Sequence, residues 1–189
     1  IELAKELSRQ GHDVTIYSVL GMHDYTTLKP EFNFKIKPIR IAWQMRPYNS
    51  DGDNKRVFID KALGKILGGM LEFPNIEFMY KIPEIIKNEK NHDLLISIAD
   101  PHQIHWGCAR ARLKFPDQFP KKWIADCGDP FMENGDTKYH RQFFSKYEKL
   151  FCKQCDYITV PHEKAIDGYY PEYRSKISVI PQGFEFDLN

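Results

Sequence analysis

Asp93-Leu-Leu-Ile-Ser-Ile-Ala99 is an apolar run in which polar and apolar side chains do not alternate. Such a run is typical of a strand that is covered on both faces, as in a parallel sheet. Asp100-Pro101 follows and predicts a helix start, because aspartate is a common N-cap residue and proline is tolerated at the first helical position. Residues 102–113 are then predicted to be helical, and Lys122-Trp-Ile-Ala125 to be a second strand. The order is strand, helix, strand.

Polar side chains follow both predicted strands at the point where each strand ends. The second strand leads into Asp126-Cys-Gly-Asp-Pro-Phe131. In open parallel sheets, ligands bind beyond the carboxyl ends of the strands. We therefore expect five side chains to converge on one rim of the sheet: Asp100, His102, His105, Asp126 and Asp129. Within the same segment, Gly128 is expected to supply a positive φ or to permit close approach of a substrate.

Strand and helix patterns alternate along the rest of the chain. The other predicted strands are 12–18, 32–37, 39–44, 156–160 and 176–180, and the other predicted helices are 1–10, 55–73, 76–90, 139–152 and 162–170. Gly11 is expected to end the first helix, and Pro83 to kink the third or start a new one there. This alternation predicts an α/β fold, with a Rossmann-like parallel sheet flanked by helices in a single domain over residues 1–180.

The composition is that of an ordinary globular protein. The chain has 189 residues, with 42% hydrophobic and 28% charged side chains and a net charge of +1. This charge balance gives no reason to expect nucleic acid as a partner. No run reaches the roughly 18 apolar residues that a membrane span needs. The amphipathic pattern over 57–73 predicts a buried helix, and a surface helix that makes peripheral contact with a membrane is the alternative.

The four cysteines, Cys108, Cys127, Cys152 and Cys155, show one close spacing. A redox Cys-x-x-Cys motif follows a strand and opens a helix, whereas Cys152-Lys-Gln-Cys155 closes a predicted helix. A four-cysteine zinc site needs a second close pair, which the other two cysteines do not form. We therefore predict reduced, buried thiols, no metal and a cytoplasmic location.

Three segments together resemble the GT-B glycosyltransferases of the family 4-like group. Gly11-His-Asp-Val-Thr-Ile-Tyr17 is similar to their "GHEVTV" strand, and Trp123-Ile-Ala-Asp-Cys-Gly-Asp-Pro-Phe131 to a "W-I-A-D-F-R-D-P-W" segment of one subgroup. Cys155-Asp-Tyr-Ile-Thr-Val160 and Lys176-Ile-Ser-Val-Ile-Pro-Gln-Gly-Phe184 are similar to the end of the family's first domain. The resemblance extends from residue 1 to about residue 187.

The resemblance implies an acceptor-binding, N-terminal half of a two-domain enzyme. Its partners would be a glycan or lipid-linked acceptor, a nucleotide-sugar donor and a C-terminal domain that binds most of the donor. No cofactor beyond that donor is implied. Residue 1 already lies in a helical pattern, so we expect the first strand to lie upstream. Residues 181–189 would begin the interdomain linker.

The chain departs from the family pattern at three positions. Gly128 replaces the arginine of "D-F-R-D-P-W", so any phosphate or carboxylate contact of that guanidinium is missing, which leaves the acceptor class open. The serine that caps the helix after the 156–160 strand is replaced around Pro161-His162, and Glu185 replaces an aspartate.

Glycosyl transfer needs a group that takes the proton of the acceptor hydroxyl. Asp126 and His105 are the predicted catalytic residues. The predicted substrate-binding residues are His102, Asp100, Gly128 and Asp129. The structural alternatives are that the histidines only bond the loop at a helix start, and that Asp126 and Asp129 only cap or turn the chain.

Two other functions stay open from the sequence. One is a freestanding flavodoxin-like α/β binding module, and the other is half of a sugar-nucleotide epimerase on the same two-domain scaffold.

Overall fold

The computed structural model describes residues 2–19, 34–41, 72–132 and 141–181, and only the backbone of 141 and 142. These residues belong to two compact units, residues 1–49 and 50–189. The predicted helix at 55–73 lies almost wholly outside the described residues. The prediction that residues 1–180 form one domain stays a prediction.

The first unit contains helix α1 (Glu2–Arg9) and the parallel strands β1 (Val14–Ser18) and β2 (Phe34–Pro38). Gly11 ends α1 as predicted, with φ at +88°. The amide of His12 donates to the carbonyl of Leu7 at 3.1 Å, which satisfies a carbonyl at the helix end. The strand expected over 39–44 is absent from the described residues 39–41.

The second unit begins with a 3₁₀ turn (Asn75–Glu77) and helix α2 (Phe78–Asn88). It continues with β3 (Leu94–Ile98), α3 (Gln103–Lys114), β4 (Lys122–Asp126), α4 (Arg141–Gln154), β5 (Tyr157–Val160), α5 (Lys164–Asp167), a 3₁₀ helix (Pro171–Lys176) and β6 (Ile177–Val179). The four strands are parallel and lie in the order β3-β4-β5-β6. The α/β class, with a Rossmann-like parallel sheet flanked by helices, is confirmed.

Helix α2 packs closely on α3 because of one glycine. A Cβ atom at Gly107 would lie 2.6 Å from the carbonyl oxygen of Phe78 and 2.8 Å from the Cβ of Ile82, so only glycine fits there. Pro83 lies inside α2, which runs on without the predicted new start. Pro83 is itself buried, so packing of the helix outweighs the backbone hydrogen bond that proline cannot donate.

The core of the second unit is formed by buried side chains of α2, α3, α4 and the sheet. Trp106 of α3 stacks on Phe144 of α4 with ring centroids 5.2 Å apart, and Trp123 of β4 has no exposed surface. Within the described residues, no helix combines the length and the apolar character needed to cross a bilayer.

Candidate functional site

A cleft of about 290 Å³ lies at the carboxyl ends of the strands in the second unit. The described residues that line it are Ile98, Ala99, Asp100, His102, Asp126, Cys127, Gly128, Asp129, Pro161 and Ile180. They come from the last residues of β3 and β4 and from the segments that follow the four strands β3 to β6. Five of the six residues predicted from the sequence therefore meet at one rim, and His105 is the exception.

Asp126 is the last residue of β4 and is held from both sides. The Thr159 hydroxyl donates a 2.6 Å hydrogen bond to its Oδ1 atom, and Thr159 lies beside Asp126 in the parallel register. The amide of Ala99 donates to the Asp126 carbonyl at 2.9 Å, and the amide of Cys127 donates to the Thr159 carbonyl at 2.8 Å. The neighbouring strands thus set the position of this carboxylate.

His102, at the start of α3, interacts electrostatically with Asp100 and Asp129. Burial lowers the pKa of its imidazole, although the two carboxylates and the Asp129 carbonyl act in the opposite direction. The ring also packs edge-on against Phe131, with centroids 5.5 Å apart. His102 is therefore a neutral ring beside two exposed carboxylates at neutral pH.

His105 has no exposed surface and does not reach the cleft, so the expectation that it lies on the rim is wrong. Its Nδ1 atom is 2.8 Å from the Ser97 hydroxyl, and its Nε2 atom is 3.3 Å from the Cys127 sulfur. The Trp123 indole N–H in turn donates to Ser97 at 2.7 Å. Burial lowers the pKa of His105 to about 3, which keeps the imidazole neutral.

The two histidines differ in exposure because they project in different directions from the start of α3. Their rings are neighbours, with centroids 5.9 Å apart. The ring of His105, however, sits in the interface between α3 and the sheet, while His102 stands at the end of that interface and borders the cleft. A polar side chain inside such an interface must be hydrogen-bonded, which is what Ser97 and Cys127 provide.

One further expectation about the site is wrong, and one of the two alternatives for Gly128 is excluded. Asp100 is not an N-cap, because α3 starts at Gln103 after a turn in which Ile104 N–H bonds to the Pro101 carbonyl at 3.2 Å. Such 3₁₀ turns are common at helix starts, and the first α-helical hydrogen bond then forms further along the chain. Gly128 does not have a positive φ, but a Cβ atom there would meet nothing within 4 Å, so the space beside it is open.

Sequence reasoning missed several residues that complete the site. Thr159 is the partner of Asp126, Cys127 joins the cleft to the buried His105, and Ile98 and Ile180 form apolar parts of the wall. The sequence feature that could have indicated these residues is their position at the ends of predicted strands. The carboxylate of Glu148, 1% exposed, accepts hydrogen bonds from the Met132 amide at 3.3 Å and the Tyr170 hydroxyl at 3.1 Å. It thereby helps to fix the segment that follows β4.

The cysteines and the polar groups at the cleft do not form a metal centre in the part of the chain that is described. No group of three or more metal-ligating side chains comes together there. The predicted burial of all four cysteines as free thiols is confirmed. Burial raises the pKa of Cys108 and Cys155 to about 12, and raises that of Cys127 and Cys152 further, so none is a thiolate at neutral pH.

Comparisons with protein-family models, with curated proteins and with solved structures found no match to this chain.

Proposed function

We propose that the chain is the acceptor-side domain of a GT-B-type glycosyltransferase, which moves a sugar from a nucleotide-sugar donor to a glycan or lipid-linked acceptor. One observation carries the proposal. Four residues of the segment that resembles the family's "W-I-A-D-x-x-D-P-W", Asp126 to Asp129, line a cleft at the carboxyl ends of parallel strands, where α/β proteins bind their ligands. The other support is the resemblance of three separate segments in the family's order.

In this proposal Asp126 takes the proton of the acceptor hydroxyl. The acceptor oxygen forms a bond to the anomeric carbon of the donor, the bond from that carbon to the diphosphate breaks, and the proton passes to the carboxylate. The hydrogen bond from Thr159 to Oδ1 holds the carboxylate at the cleft. A second domain would bind the departing diphosphate.

His105 has a supporting role in this scheme and does not contact the acceptor. Its Nε2 atom faces Cys127, the residue next to Asp126, so the ring holds the backbone that carries the proposed base. His102, Asp100, Gly128 and Asp129 would contact the acceptor, because they line the cleft around Asp126.

The test is a transfer assay on the complete protein, with a panel of nucleotide-sugar donors and glycan acceptors. Asn at position 126 can still accept the Thr159 hydrogen bond but cannot take a proton. Asp126→Asn should therefore lower kcat by about 100-fold with an unchanged melting temperature. Asp117→Asn, at an exposed aspartate that does not line the cleft, is the matched control and should leave kcat unchanged.

Absence of sugar transfer from every donor would overturn the proposal. Full activity of Asp126→Asn, with transfer retained in the wild type, would remove Asp126 from the mechanism.

A further inference from the structure

We infer that the cleft binds an uncharged sugar unit of the acceptor and discriminates against phosphorylated or carboxylated sugars. The inference rests on the proposed function and specifies its substrate class. It depends on the charges, the apolar surface and the open space around the cleft.

The described lining of the cleft carries negative charge without a compensating cation. Asp100, Asp126 and Asp129 contribute three carboxylates, and no lysine or arginine is among the described lining residues. His102 adds no positive charge at neutral pH, because burial lowers its pKa. A phosphate or carboxylate on the ligand would therefore meet like charges, which is unfavourable in a partly enclosed site.

Two backbone N–H groups at the start of α3 are not free to offset this repulsion. A helix N-terminus binds anions through backbone N–H groups that lack partners inside the helix. Here the N–H groups of Ile104 and His105 already donate to the carbonyls of Pro101 and His102, at 3.2 and 2.9 Å. Two of the donors that would hold a phosphate are occupied by the turn itself.

A neutral sugar matches the same surroundings. Its hydroxyl groups can donate to the carboxylates, and hydrogen bonds to a charged acceptor are stronger than those between neutral groups. Ile98 and Ile180, 49% and 59% exposed, can contact the apolar C–H face of a sugar ring. The volume of about 290 Å³ is at the lower end of small-molecule sites, which suits one sugar unit.

The test compares matched neutral and anionic probes on the 189-residue chain. The probes are the methyl glycosides of glucose, galactose and mannose, and the corresponding 6-phosphates and uronates. Binding is measured by NMR titration at low ionic strength, where charge effects are screened least. We expect at least one neutral glycoside to have a Kd about tenfold or more below those of its anionic counterparts.

A charge-introducing variant tests the cause of this preference. Gly128→Arg places a guanidinium at the cleft, and the open space beside Gly128 leaves room for the side chain. The Kd for the matched 6-phosphate should fall by about tenfold, since a guanidinium binds phosphate through paired hydrogen bonds. Gly128→Gln is the control for size without charge, and should not strengthen binding of the 6-phosphate.

The outcomes separate the inference from the proposed function. Equal or tighter binding of the anionic probes by the wild-type chain would overturn the inference alone, because the cleft would still be a sugar site. An unchanged 6-phosphate Kd in Gly128→Arg would also overturn it. Absence of binding by every sugar probe would overturn both the inference and the acceptor role of this cleft.

Discussion

The two ends of the four-stranded sheet hold aspartates in opposite surroundings. At the amino end, the Arg112 guanidinium donates to Asp156 at 2.9 and 3.3 Å, and the Trp123 amide donates to it at 2.8 Å. At the carboxyl end, Asp100 and Asp129 are exposed beside a cleft whose described lining has no cationic side chain. The charge of Asp156 is satisfied inside the protein, while the charges of Asp100 and Asp129 are available to a ligand.

This difference shows how the same residue type serves structure and binding in one sheet. The Arg112–Asp156 pair connects α3 with the start of β5, and the Trp123 amide connects both to β4. Although burial raises the pKa of Asp156, the bonds from Arg112 and Trp123 outweigh it and hold that pKa below its ordinary value. Removing the charge of Asp156 should therefore cost stability, and removing the charge of Asp129 should cost ligand affinity.

The largest effect on stability is expected at the amino end. Asp156→Ala leaves the Trp123 amide without this acceptor and the partly buried Arg112 guanidinium with only the Gln154 carbonyl, at 2.6 Å, which should lower the free energy of unfolding by about 2 to 3 kcal/mol. Chemical denaturation monitored by circular dichroism measures this. The control is Asp93→Ala at the same end, where the ion pair with Lys121 is largely exposed and 3.9 Å long, so no measurable change is expected. Equal effects of the two variants would contradict the conclusion that the hydrogen bonds of Asp156 stabilise the fold.

A second prediction concerns pH and the buried imidazole behind the cleft. Folded His105 stays neutral down to about pH 3, whereas the unfolded chain binds a proton near pH 6.5. The unfolded state therefore gains protons as the pH falls, and stability should drop by about 2 kcal/mol between pH 7.5 and 5.

The variant His105→Gln isolates this contribution. It should lose the His105 contribution of about 2 kcal/mol, while the contribution of His102, whose pKa burial also lowers, remains in both proteins. Denaturation curves at both pH values give the comparison. A wild-type slope that the variant retains in full would show that His105 is not the group responsible.

A smaller effect is expected from the lysine that caps α4. The Lys176 ammonium donates to the carbonyls of Cys152, Lys153 and Cys155 at 3.0, 2.9 and 2.8 Å. Cations stabilise the C-terminus of a helix, so Lys176→Met should lower the melting temperature by an amount that corresponds to about 1 kcal/mol. Lys153→Met, at an exposed lysine of the same helix end, should have a clearly smaller effect. Thermal unfolding of both variants decides this.

The smallest effect on stability is expected at the carboxyl end. Asp129→Asn removes an exposed charge from a cluster of like charges, so the free energy of unfolding should change by less than about 0.5 kcal/mol. The same variant should weaken binding of the neutral methyl glycosides, measured by the same NMR titration. A large loss of stability would mean that Asp129 mainly turns the chain, and the two ends would then differ less than we propose.

The sequence by itself determined the order of strands and helices in the second unit and the edge at which the polar residues meet. Both follow from local patterns, since β3 and β4 can be predicted from their own sequences without knowledge of the elements that pack against them. The carboxyl ends of parallel strands share one edge, so Asp100, His102, Asp126, Gly128 and Asp129 were placed at the cleft from the sequence.

The tertiary structure alone decided which of these groups is exposed and what each one contacts. His102 and His105 are three residues apart in one helical turn, and only the packing of α3 on the sheet buries His105 and leaves His102 at the cleft. The partners Thr159 and Arg112 lie 33 and 44 residues from Asp126 and Asp156. Contacts over such separations depend on how the strands pair and how the helices pack. Local sequence patterns do not determine either.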